Sequence, residues 1–197
     1  MPADLLKLDA LTRVAIREAT DKLITGGNID AWERAMRQAI TRGHTAATLA
    51  GIAERLNIPL DENLISARRL SRAERNEIKA AVGKQLDYLR GFVDDVRAER
   101  LSEKDLRRRA DMYSGAVRDT FYSTRWGNWD IPDRLMPCRQ TCLTNCKCTI
   151  SVKDNGDGTG TLTRVLGAVE VGHCTACPPL AGDHQVRRRA GFPSQMD

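Results

Sequence analysis

Six cysteines, Cys138, Cys142, Cys146, Cys148, Cys174 and Cys177, fall in the last third of this 197-residue chain. Four of them form two tight pairs. Cys146-Lys147-Cys148 lies on one arm of a predicted β-hairpin and Cys174-Thr175-Ala176-Cys177 just past the other. Residues two apart on a strand point to one face, so Cys146 and Cys148 can address one ion together. The Cys-x-x-Cys spacing is that of a zinc knuckle, and a hairpin that joins two such pairs supplies the tetrahedral thiolate set of a structural zinc site. The expected ligands of one zinc ion are Cys142 or Cys146 with Cys148, Cys174 and Cys177. His173 and His184 stand in reserve, and Cys138 falls outside the set. The plain alternative is a group of reduced thiols, or of disulfides formed after release into oxidising surroundings. A catalytic zinc would want an open position and a nearby general base, and Glu170 is the only glutamate close by.

Other residue groups carry less chemistry. Asn155-Gly156-Asp157-Gly158-Thr159-Gly160 echoes a calcium loop, but Leu166 stands where the closing acid belongs, so a hairpin turn is the expected reading. Arg107-Arg108-Arg109 and Arg187-Arg188-Arg189 could touch phosphates. The first run sits opposite an apolar helical stripe, where a solvated face is the default. The second falls in a segment read as a tail, and neither run is interleaved with aromatics for base stacking. Trp126 and Trp129 suit either a partner surface or a clamp between a small module and its neighbour. His44, among alanines, reads as packing. Gly-x-Ser-x-Gly, His-Glu-x-x-His, Gly-x-x-x-x-Gly-Lys and Gly-x-Gly-x-x-Gly are all missing from the sequence, so no catalytic residues are assigned and a non-enzyme is expected.

The elements that must position the cysteines change character along the chain. Residues 1–125 read as a helical domain. A first helix over about Asp9–Thr25 carries Leu8, Leu11, Ala15, Ala19 and Leu23 at helical spacing and stops at Gly26-Gly27. Asn28 caps a second helix to about Arg55, with Trp32, Met36, Ala39 and Ile40 followed by small residues (Gly43, Ala46, Ala47, Ala50, Gly51) that mark a close-packing face. A connector over 57–70 contains Pro59. Ser71 with Glu74 predicts a capping box before the stripe Ile78, Val82, Leu86, Leu89, Val93, Val96. Ser102 with Asp105 predicts a second box, before Leu106, Ala110, Tyr113, Val117 and Phe121. Helices joined by so short a turn should form an antiparallel hairpin. Residues 126–137, with two Trp and two Pro, read as a linker, 138–184 as a cysteine-rich β-hairpin zinc module, and 185–197 as a basic tail. The fold class is thus mainly α: an elongated helical bundle or hairpin, then a small zinc-stapled β-hairpin.

Composition bounds the function. Charged residues make up 29% of the chain and aromatics 5%, which suits solvent-washed helices with narrow apolar stripes rather than a deep aromatic pocket. The net charge of +5 is mild, and residues 138–197 hold seven Lys/Arg against five Asp/Glu, so the charge is not concentrated as in a dedicated nucleic-acid binder. The N-terminus lacks the pattern of a secretory signal, and no uncharged stretch approaches the roughly 20 apolar residues of a membrane span. A reducing cytoplasm is the expected setting, where clustered cysteines favour metal over disulfides.

The stretch Thr141-Cys142-Leu143-Thr144-Asn145-Cys146-Lys147-Cys148, the following Asp154–Thr163 hairpin, Arg164-Val165-Leu166-Gly167, and His173-Cys174-Thr175-Ala176-Cys177-Pro178-Pro179-Leu180-Ala181-Gly182 together resemble the C-terminal module of phage minor head proteins related to the Mu F-like head morphogenesis family. The helical stretch from Leu86 through Tyr113 to Tyr122 is similar in texture. The order of the two cysteine elements is reversed relative to the common family pattern, and Cys142 stands where a His often precedes Asn-Cys. The resemblance implies a low-copy virion structural protein of the head, associated with the portal or the major capsid protein and present in multiple copies. It further implies head assembly in the host cytoplasm, then residence in the capsid interior with possible contact to packaged DNA, for which Arg187, Arg188 and Arg189 are the candidates. The rival reading is a zinc-containing nucleic-acid-binding or regulatory protein, suggested by the pI near 9 and the two arginine runs.

Overall fold

The computed structural model describes residues 3–58, 71–137, 148–167 and 177–190. Among the described residues four helices precede a small sheet: α1 (Ala3–Ile24), α2 (Ile29–Arg55), α3 (Arg72–Arg97) and α4 (Glu103–Arg125). Their ends follow from local chemistry. After α1 the Gly27 N–H reaches back to the Lys22 carbonyl at 2.9 Å and Gly26 adopts φ +96°, the left-handed closure that favours glycine. Asn28 then accepts from the Ala31 N–H at 3.0 Å to start α2. Ser71 and Glu74 make the full capping box of α3: Ser71 N–H donates to Glu74 Oε2 at 2.7 Å, and Glu74 N–H to Ser71 Oγ at 3.1 Å. The second predicted box is only half made. Ser102 Oγ accepts from the Asp105 N–H, but the shorter Asp105 side chain takes the Ser102 hydroxyl proton instead of the backbone N–H.

Helix α2 is the axis of the bundle. Its small residues form the predicted contact face: a Cβ on Gly43 would lie 2.7 Å from Thr12 Oγ1 of α1, and one on Gly51 2.8 Å from the Phe121 carbonyl oxygen of α4. Helix α3 runs back along α2, with Arg97 bonded to Asp30 and Arg55 to Glu77. α4 then returns parallel to α2. The expected α3/α4 hairpin therefore straddles α2, and its two arms meet near their turn, where Phe92 stacks on Tyr113 (6.0 Å) and packs edge-on against Trp32 (5.2 Å). The α3 and α4 stripes pack as predicted, most deeply at Leu89, Val93, Leu106, Val117 and Phe121. The phase of α1 differs. Leu11 and Ala15 are exposed, while Asp9, Thr12, Ile16, Ala19 and Thr20 face inward. Those inward polar groups have partners: Asp9 pairs with buried Arg118 at 2.5 Å, and the Thr20 hydroxyl donates to the Ile16 carbonyl at 2.8 Å. An apolar count alone therefore misplaced Leu11 and Ala15, while Ala19 and Leu23 of the predicted stripe do pack inward.

Residues 126–137 are not a linker. Trp129, Ile131, Leu135 and Met136 are buried in one cluster with Ala47, Ala50, Val117, Phe121 and Tyr122 of the helices and Ile150, Leu162 and Val186 of the sheet. Gly and Pro mark turns there, but the apolar residues between them fill the gap between bundle and sheet. The sheet itself has four strands, β1 (Trp129–Asp130), β2 (Thr149–Asp154), β3 (Thr159–Val165) and β4 (Gly182–Arg188), ordered β1-β4-β3-β2 and antiparallel throughout. The predicted hairpin is β2/β3, registered Asp154 opposite Gly160, with Gly156 and Gly158 both at φ +83° in the turn. Residues 185–188, assigned to a basic tail, instead belong to β4. Only Val186 of that strand is buried, so its polar sequence hid it. The remaining tail residues, 191–197, lie outside the described residues. Trp129 lies over Gly160, and the Arg188 guanidinium sits 4.6 Å above its ring while pairing with Asp154. Trp129 is thus the clamp between the sheet and the helices.

Candidate metal centre

Of the five cysteines assigned to zinc, Cys148 and Cys177 are described; Cys142, Cys146 and Cys174 lie outside the described residues, as do Cys138, His173 and Glu170. Cys148 (3% exposed) and Cys177 (0%) are both buried, and neither forms a disulfide. Among the described residues no three His, Cys, Asp or Glu side chains converge on one point.

Strand register brings these two cysteines to one end of the sheet. Thr149 pairs with Val165 and Ile150 with Arg164, so Cys148 enters β2 at the end away from the Asp154–Thr159 turn. Arg164 also pairs with Gly182, the first residue of β4. Cys177 precedes that strand by a single helical turn (Pro178–Leu180), and its sulfur lies 3.6 Å from Arg164 Nη2. By alternation Cys148, Ile150, Leu162 and Arg164 share the inward face, and all four are buried. Cys148 and Cys177 therefore lie at the same end of the sheet.

Arg164, absent from the sequence assignment, is the largest fully buried side chain among the described residues. Its Nη1 donates to the Arg134 carbonyl at 2.9 Å and its Nη2 to Cys177 Sγ, while Nε has no partner among the described residues. The signal was present in Leu162-Thr163-Arg164, where the arginine occupies the inward phase of an alternating strand. The two described sulfurs are ligands of the type zinc accepts, and the other expected ligands lie outside the described residues. The reserve ligand His184 is engaged through Nε2 with the Leu180 carbonyl at 3.0 Å.

The other candidates resolve individually. The turn's acids are held within the hairpin: Asp154 accepts from the Gly156 N–H and from Arg188, and Asp157 from the Thr159 N–H and hydroxyl. In the first arginine run, Arg107 pairs with Asp21 and Glu103, Arg108 with Asp105 and Arg109 with Asp95. In the second, Arg187 and Arg189 are exposed and Arg188 is held by Asp154. His44 is buried with Nδ1 2.7 Å from Thr120 Oγ1, and burial lowers its pKa to about 4. No described helix is long and apolar enough to cross a membrane.

No protein-family model matches the chain, and neither does any curated protein or solved structure.

Proposed function

We propose that this chain is a bacteriophage virion structural protein. In this reading it is a minor head protein that acts in head assembly near the portal or capsid interior, without enzymatic activity. The observation that carries the reading is the placement of its two cysteine elements. They open from one end of a small sheet, at Cys148 and Cys177, directly after a long helical region. The resemblance to the head morphogenesis proteins rests on the sequence of the same two cysteine elements. The scaffold also offers surface for protein contacts. Leu11 and Val14, one helical turn apart on α1, are 69% and 52% exposed, and Leu11 borders a groove between α1 and α2 whose alanine floor is rimmed by Glu18, Lys22, Gln38 and Arg42. Such a face suits packing against portal or capsid subunits.

One structural zinc ion belongs to the proposal, held by Cys148, Cys174, Cys177 and Cys142 or Cys146. When bound, the ion contributes folding energy. Changing Cys174 and Cys177 together to serine should lower the melting temperature and abolish its sensitivity to chelator. If the double variant melts as the parent does, with and without chelator, there is no zinc staple.

The functional test is quantitative mass spectrometry of this chain against the major capsid protein in purified particles. A reproducible low copy number per head is the expected result. Absence from particles, with abundant protein in infected cells and DNA affinity that falls steeply with salt, would replace this reading with the nucleic-acid-binding one.

A further inference from the structure

Helix α1 divides its apolar residues between two faces. Ile16 and Ala19 pack inward beside Asp9, Thr12 and Thr20, while Leu11 and Val14 stand on the outer face beside exposed Ala15. Next to them runs a groove of about 490 Å3 between α1 and α2, floored by small residues and edged by Glu18 on α1 and Arg42 on α2. Both of these charged residues are exposed. An apolar knob and a small-floored groove thus share one surface, and a surface that carries both can pair with its own copy about a two-fold axis.

The levels of the two helices decide how such a pair would sit. Thr20 Oγ1 accepts from the Trp32 indole N–H at 3.5 Å, and Thr12 stands against Gly43. Helices α1 and α2 therefore run antiparallel, with Ala15 level with Ala39 and Ala19 level with Ala35. Consider a second α1 laid along the groove antiparallel to the first and centred on Ala15, where the exposed side chain is smallest. Its Leu11 then falls over Ala19 and Ala35, the hole that a leucine knob needs. The same register carries its Glu18 past Thr12, to the level of Arg42. Within one copy Glu18 is level with Met36, about 9 Å short of Arg42 along the axis, so the two meet only between copies. A parallel arrangement would instead set Glu18 beside Glu18, where like charges repel.

We propose that the α1/α2 groove is the interface of an antiparallel homodimer, in which Leu11 of each copy fills the alanine floor of the other and Glu18 pairs with Arg42 at both seams. The inference rests on neither the head reading nor a metal.

Sedimentation velocity of the full chain tests it, with chelator and thiol reductant present so that cysteines link no copies. A monomer–dimer equilibrium is expected between about 1 and 100 μM. Glu18→Arg places like charges at both seams, and Arg42→Glu does the same with the opposite sign. Each alone should weaken dimerisation about tenfold or more. Mixed in equal amounts, the two variants form a heterodimer whose seams again carry opposite charges, and its affinity should return to within about threefold of the parent. Leu11→Asp, at an exposed position, should keep the far-UV circular dichroism of the parent and leave the chain monomeric. A parent that stays monomeric to about 100 μM overturns the proposal. So does a dimer that Leu11→Asp leaves intact, and so does a mixture of the charge variants that binds no tighter than either alone. Should Leu11→Asp not fold, the charge mixture decides.

Discussion

If bundle and sheet share one core through Trp129, that core can be tested at a single contact. Trp129 is 4% exposed, and its ring covers Gly160 so closely that a Cβ there would lie 2.7 Å from Cζ3, 2.8 Å from Cη2 and 2.9 Å from Val152 Cγ1. Trp129→Ala removes a fully packed indole and should cost about 3–5 kcal/mol. In a chain of this size that lowers the melting temperature by about 6–20 °C. Gly160→Ala forces overlap with a rigid ring and should cost about 1–3 kcal/mol, less the few tenths regained because alanine is more restricted in the unfolded chain. Removing the indole takes away the two closest contacts of the new Cβ, and the Val152 methyl at 2.9 Å can move. The glycine substitution should then be nearly neutral in the Trp129→Ala background, a coupling of about 1–2 kcal/mol. Urea unfolding followed by far-UV circular dichroism measures all four corners of the cycle. Equal costs for Gly160→Ala in both backgrounds, or a cost below about 1 kcal/mol for Trp129→Ala, would show that residues 126–137 are the linker their Gly and Pro content suggests.

Gly51→Ala should destabilise by about 1–3 kcal/mol, because its Cβ meets backbone atoms of Phe121 and Arg125 at 2.8 and 3.0 Å. Gly91→Ala, with nothing within 4 Å, should stabilise by about 0.5–1 kcal/mol through helix propensity; equal effects on the unfolding midpoint would refute the close α2/α4 contact. His44 is held neutral, with its pKa lowered from 6.5 to about 4 by burial. The unfolded chain thus takes up a proton that the folded one refuses, and stability falls as pH drops below about 6.5. Between pH 7 and 5 the parent should lose about 2 kcal/mol more than His44→Gln in urea titrations, and identical pH slopes would remove His44 as the cause. Asp9→Asn takes away the carboxylate opposite buried Arg118 and should cost about 3 kcal/mol; a loss under about 1 kcal/mol would mean that the pair is effectively solvated.

Where local chemistry decides, the sequence was readable. Gly26-Gly27, Asn28 and Ser71 with Glu74 act within a few residues of themselves, and each ends or begins a helix as expected. The α3 and α4 stripes were legible because their inward positions are nearly all apolar. Helix α1 was not, since Asp9, Thr12 and Thr20 are buried against partners up to 109 residues away, and periodicity cannot register a polar residue that will be satisfied at long range. Strand β4 escaped for a related reason. A sheet that borrows its apolar side from a helical bundle needs only one buried residue, Val186, on a seven-residue strand. Arg164 was passed over because charge is normally counted as surface, although its phase beside Leu162 placed it inside.

The shared core also changes what a metal would have to do. A hairpin with few apolar residues of its own needs a staple if it stands alone, but this one does not. Its turn end is fixed by Trp129, Arg188 and Asp154 and by the cluster that runs into α2 and α4. The cysteine end has buried Arg164, bonded to the Arg134 carbonyl, and the two buried sulfurs of Cys148 and Cys177. A metal held there would add its stabilisation at that end, and its removal should then open the sheet there first. In hydrogen exchange, the amides around Thr149, Val165 and Gly182 should lose protection on metal removal, while those around Asp154 and Gly160, together with the α2 and α4 core, keep theirs. Uniform loss across the sheet and the helices would mean that the metal nucleates the whole fold. Unchanged protection at the cysteine end would mean that the hydrophobic cluster alone holds the sheet in place.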